Sequence, residues 1–163
     1  MTDPVNAAEE ASSRADALEE GNDLDGAIQA MSQAIELAPN KAKYWALRGR
    51  FFALQQKWQA AIRDFDSALA LKPNAPTTLY GRGRARAMLD DLDGAIADFE
   101  RCIELEPTAA DALAFIGSIR YYRGELQQAL EAYRKAIALE PARQSDIAGR
   151  HISEIEKKLR ESR

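Results

Sequence analysis

Two reactive side chains are nearly absent from this chain of 163 residues, which holds one cysteine, Cys102, and one histidine, His151. One cysteine excludes a disulfide framework and a CxxC metal motif. One histidine excludes a histidine-based metal set and leaves no second imidazole for a catalytic constellation. No apolar run reaches the roughly 18 residues that a membrane-crossing helix needs. The opening stretch, MTDPVNAAEEASSRADALEE, has neither the basic nor the apolar segment of a secretory signal. These absences set the first expectations: a reducing, cytoplasmic location, no membrane association, no metal and no cofactor.

Positive charge is in slight deficit, with 22 Lys and Arg against 26 Asp and Glu and a net charge of −4. A chain acidic overall is expected not to bind nucleic acid broadly, since that calls for a basic domain. The charge is unevenly placed. Residues 1–40 carry nine acids and one base, whereas residues 41–90 carry ten bases and three acids. Residues 91–163 return to a small acidic excess, with fourteen acids and eleven bases.

Proline is scarce too, but it is placed to a rule. Four of the six prolines, Pro39, Pro73, Pro107 and Pro141, follow one another at intervals of 34 residues. Other columns keep the same period: Ala27, Ala61, Ala95, Ala129; Met31, Phe65, Phe99, Tyr133; Ala15, Gly49, Gly83, Gly117. Between prolines the pattern is helical. Ala95, Ile96, Phe99, Cys102, Ile103 and Leu105 form one wide apolar stripe with polar residues between them. Each proline disfavours helix in the residue before it and so closes a helix. Gln55–Gln56, Asp90–Asp91 and Arg123–Gly124 mark a break between two helices inside the period, and Asp23 and Asp91 suit N-caps. A fixed period of this length signals a stacked repeat array.

The pattern resembles the tetratricopeptide repeat. The resemblance covers residues 8–143 as four copies in phase, 8–41, 42–75, 76–109 and 110–143, after a lead-in at 1–7. It is closest in the second copy, where Trp45, Gly49, Phe52, Ala61, Phe65, Ala68 and Pro73 stand at the family's signature places. The first copy departs most, with Ala11 for the large aromatic and Ala15 for the glycine, and Arg86 and Arg120 replace the aromatic that Phe52 represents. The resemblance implies an all-α solenoid of helix-turn-helix repeats in a right-handed superhelix. Residues 144–163 break the phase. Ala148, Ile152, Ile155 and Leu159 form an apolar stripe there, behind a Ser145 cap. They read as a helix capping the array, with a partner-binding amphipathic helix as the alternative.

Candidates for chemistry are few. Cys102 lies in a small-residue column and reads as packing, and His151 reads as a partly exposed surface side chain. The acidic stretches at 23–25 and 90–93 are explained by turns and caps. The G-x-G at 81–83 lies inside a helix and lacks the rest of a phosphate loop. The expectation is therefore a non-enzymatic scaffold or adaptor. In the family the first helix of each repeat lines a concave face that holds a peptide. By that resemblance the inward residues are Lys43, Leu47, Arg50 and Leu54, then Tyr80, Arg84 and Met88, then Asp111, Phe115, Ser118, Tyr121 and Tyr122. In the first copy they are Glu9, Ser12, Asp16 and Glu19. Arg50 and Arg84, one period apart, offer two guanidinium forks for carboxylates. The partner expected is a protein or peptide segment of acidic character. The family's lysine–asparagine–arginine clamp for chaperone C-terminal tails is not matched in any frame. A homo-oligomer held by the acidic start and the basic middle is the alternative.

Overall fold

The computed structural model describes residues 3–142 and 147–161. Those residues form nine helices and no strand: α1 (Pro4–Glu20), α2 (Leu24–Leu37), α3 (Ala42–Leu54), α4 (Trp58–Leu71), α5 (Pro76–Ala87), α6 (Leu92–Leu105), α7 (Ala110–Tyr122), α8 (Leu126–Leu139) and α9 (Ile147–Glu161). None of these is long and apolar enough to cross a membrane. Asp3 caps α1: Val5 N donates to Asp3 Oδ1, and Pro4 opens the helix. Asp23 caps α2 by accepting from Gly26 N at 2.9 Å. A Cβ at Gly26 would lie 2.4 Å from the same carboxylate, so the cap and the glycine belong together. The Ser145 cap expected for the last helix lies outside the described residues.

One turn geometry recurs on the 34-residue ruler. Asn22, Gln56, Asp90 and Gly124 all take positive φ, between 58° and 76°. After each, an amide reaches back five residues: Asp23 to Leu18, Lys57 to Phe52, Asp91 to Arg86, Glu125 to Arg120. This is the Schellman closure of a helix, in which one left-handed residue turns the chain. Only the last copy supplies the glycine that the conformation favours.

Within a helix pair the close approach is made by glycine against a ring. A Cβ at Gly49 would stand 2.9 Å from Phe65, and one at Gly117 would stand 2.8 Å from Tyr133. The first repeat solves the same problem differently, with Ala15 and the unbranched Met31 both fully buried in one cluster. Met has the freedom to move around a methyl group that a ring lacks. Two of the substituted aromatics are also accounted for. Arg86 and Arg120 are half-buried, with guanidinium groups 3.6 Å from Asp91 and 3.8 Å from Glu100.

The chain divides into two compact units, Met1–Asp91 and Leu92–Arg163. The first holds α1–α5, with each helix packed on the next. Its cores centre on Met31 and Phe51 and on Phe65. The second holds α6–α9, with a core around Tyr133, Leu130 and Ile155. The expected stripe of α9 is in place: Ala148 and Ile155 are buried and Ile152 and Leu159 pack beside them, closing α8. The division falls in the turn of the 76–109 repeat, so α5 and α6 lie in different units.

Candidate functional site

In the first unit α3 and α5 are first helices of successive repeats, and α4 passes beneath them. Three pairs of residues 34 apart come from these two helices: Lys43 and Thr77, Leu47 and Gly81, Arg50 and Arg84. They line one groove of about 570 Å³, together with Tyr80 and Leu54. Phe65 and Ala68 of α4, both buried, make its floor. Phe65 is shared with the core: a Cβ at Gly81 would lie 2.9 Å from its ring, as one at Gly49 would. The small residues at 49 and 81 thus let two helices come down onto one ring and leave a trough above it.

The exposed rim is cationic. Lys43, Arg50, Lys72 and Arg84 line the groove, and among the described residues no carboxylate belongs to the lining itself. Lys43 and Lys72 pair with no acidic side chain among the described residues. Arg84 lies over Tyr80, its guanidinium carbon 5.8 Å from the ring centroid, one helical turn away. Arg50 is engaged differently: its two terminal nitrogens sit 2.5 and 2.6 Å from the two oxygens of Glu19 on α1. Arg48, one face over, is structural. It grips buried Asp64 with two bonds of 2.7 and 2.9 Å and Ser32 with a third of 3.0 Å.

The sequence-derived residues of the second unit are placed in other roles. Phe115 stacks on Phe99 at 5.4 Å. Ser118 donates to Ala114 O and accepts from the Tyr133 hydroxyl at 3.1 Å. Tyr121 stacks on His151 of α9 at 4.5 Å, and its hydroxyl accepts from Lys158. The Lys158 ammonium also holds Glu154, whose carboxyl titrates below its usual range because of that bond and a second one to Tyr121. Tyr122 alone projects, 79% exposed. His151 is partly exposed, as expected, and its Nδ1 lies 2.7 Å from the Tyr133 hydroxyl. Cys102 is buried, and burial, followed by the charge of Glu106, pushes its thiol up and away from the reactive thiolate.

The sequence reading overlooked Lys72 and the Glu19–Arg50 pairing. Lys72 belongs to the end of a second helix, and only first helices were expected to line the groove. Its position just before Pro73 was the available signal, because that corner turns toward the next repeat. Glu19 and Arg50 both appeared as inward residues, but 31 residues separate them and no period links them.

A trough with a charged rim above stacked helix pairs is the architecture of a helical repeat scaffold. Three family models described as tetratricopeptide repeat match residues 13–76, 47–115 and 110–143. The chain belongs to the tetratricopeptide-repeat family. A search of curated proteins finds no match. Among solved structures, a crystal structure of MamA protein superposes with a TM-score of 0.87 at 26% identity, covering 96% of this chain and 85% of that one. The TPR domain of Arabidopsis OM64 gives 0.71 at 25% identity over 73% of this chain and 98% of its own. The MamA 41-end structure from Desulfovibrio magneticus RS-1 gives 0.79 over 95% and 96%, and at 19% identity it shows the fold alone.

Proposed function

We propose that this chain is a non-enzymatic adaptor that binds an acidic peptide segment of a partner protein in the groove between α3 and α5. The observation that supports this is the lining itself: four cations over an apolar floor, two of them, Lys43 and Lys72, with no acidic partner among the described residues. An extended segment with acidic residues toward the rim and a small apolar side chain toward Phe65 matches that lining in charge and shape. The unpaired, buried Cys102 suits a reducing compartment such as the cytoplasm. Of the other residues expected to face a ligand, Tyr122 is the exposed aromatic that the second unit offers.

The test is fluorescence anisotropy with a short labelled peptide in which Asp-Glu pairs alternate with leucine. Its Asn-Gln analogue serves as the control. Binding to the acidic peptide, with a loss of at least about tenfold for Lys43→Glu/Arg84→Glu, is the expected result. Equal binding of both peptides, or no change in the variant, overturns the reading.

The charge blocks favour one second reading, self-association. Residues 1–40 hold nine acids against one base, and residues 41–90 ten bases against three acids. Light scattering at low and high salt separates the two, since charge-driven assembly weakens as salt rises.

A further inference from the structure

The fork of Arg50 is occupied. Its Nη1 and Nη2 meet Oε1 and Oε2 of Glu19 at 2.5 and 2.6 Å, a fork-on-fork pair between α3 and α1. This is the geometry by which a guanidinium recognises a carboxylate from any source. The pair lies at the groove, where Arg50 is one of the lining cations, and both side chains reach solvent, at 46% and 29% exposure. An exposed pair of this kind adds little to stability, so the fold does not depend on it.

Glu19 is also poorly placed for its own helix. It stands in the last turn of α1 beside Glu20, and that turn carries no basic residue. A helix C-terminus is the negative end of the macrodipole and disfavours an acid. Locally, then, Glu19 works against α1, and its favourable contact is with the groove. A residue that breaks a local rule while touching a binding surface points to a role at that surface.

We infer that Glu19 is a built-in competitor: it holds the Arg50 fork in the unliganded protein and yields it to a carboxylate of the bound segment. This rests on the acidic-peptide reading of the groove. While Glu19 is seated, an incoming carboxylate gains little from Arg50, because one pair is exchanged for another of the same kind. Lys43 and Lys72, which have no acidic partner among the described residues, supply the first attraction. The competitor therefore sets a threshold. Segments with a single acid are served by the lysines, and segments with a second acid in register displace Glu19.

The experiment compares Glu19→Ala, Arg50→Ala and the double variant with the wild type, using the same acidic peptide and its Asn-Gln analogue. Alanine favours helix, so α1 is retained. Glu19→Ala is expected to tighten the acidic peptide roughly two- to fivefold, the range for losing one exposed ion-pair competitor. In the Arg50→Ala background the same change is expected to do nothing. Equal affinity of wild type and Glu19→Ala overturns the inference while leaving the groove reading intact. An equal gain with and without Arg50 also overturns it, since the effect is then general charge and not the fork. Failure of wild type and Glu19→Ala alike to bind the peptide overturns the inference together with the reading beneath it.

Discussion

Phe65 offers the sharpest test of how these repeats are built. Replacing Gly49 by alanine would set a Cβ 2.9 and 3.0 Å from two ring carbons and 3.2 Å from Ala61 O. Favourable carbon contacts begin near 3.5 Å, so the ring would have to retreat by roughly half an ångström. It has little room, because α5 abuts the same ring at Gly81. Overpacking of this kind costs about 2 kcal/mol. Against it stands the gain of about 1 kcal/mol for alanine over glycine within a helix. The net for Gly49→Ala is about 1 kcal/mol of destabilisation. Made in a Phe65→Met background, the same change should lose its clash and keep its gain, stabilising by up to about 1 kcal/mol. Ala15 with Met31 is this arrangement already present in the first repeat. With a urea slope of about 2 kcal/mol/M, the midpoint falls by roughly 0.5 M in one background and rises by about as much in the other. The reasoning is refuted if Gly49→Ala moves the midpoint in the same direction in both.

Two further outcomes follow from the turns and the buried charge. Gln56 is exposed with φ at 58°, so Gln56→Gly should raise stability by about 0.5–1 kcal/mol, read as a higher melting temperature; Gly124→Ala should lower it by a similar amount. Arg48→Met should remove about 3 kcal/mol in urea titration, since it strands an Asp64 side chain that is 6% exposed, and restoring the loss with Asp64→Leu would show that the charge left behind was the cause.

The period of 34 residues was readable because proline, alanine and a larger side chain each carry a fixed job in it. Proline ends helices, the alanine of the 27, 61, 95, 129 column is fully buried and permits approach, and the larger side chain four residues on fills the space beside it. The close pairing of Gly49 with Phe65 could be anticipated from their columns, since both recur in phase. What the sequence did not disclose are contacts that depend on where side-chain tips end. Ser118 and His151 meet the Tyr133 hydroxyl from two sides, and Tyr121 stacks on His151, because α9 packs on α8; Ser118 and Tyr121 share no periodic spacing with His151. Tyr121 looks open by its place on α7, yet His151 lies on its face and Lys158 on its oxygen. For the groove, Lys43, Leu47, Arg50, Tyr80 and Arg84 do share a lining. The occupancy of the Arg50 fork was hidden because Glu19 reaches it from the preceding repeat.

The aromatic column runs Met31, Phe65, Phe99, Tyr133, and only the last member has an oxygen. That hydroxyl donates to Ser118 and faces His151 Nδ1 at 2.7 Å, so its hydrogen-bonding capacity is filled on one side by its own repeat and on the other by α9. Against α8, α9 occupies the place that the first helix of another repeat would take, as α5 does against α4. A helix packed there with no polar group in the place of His151 would leave that side of a buried hydroxyl unsatisfied, a penalty of about 1–3 kcal/mol. One oxygen atom thus selects which helix can follow α8.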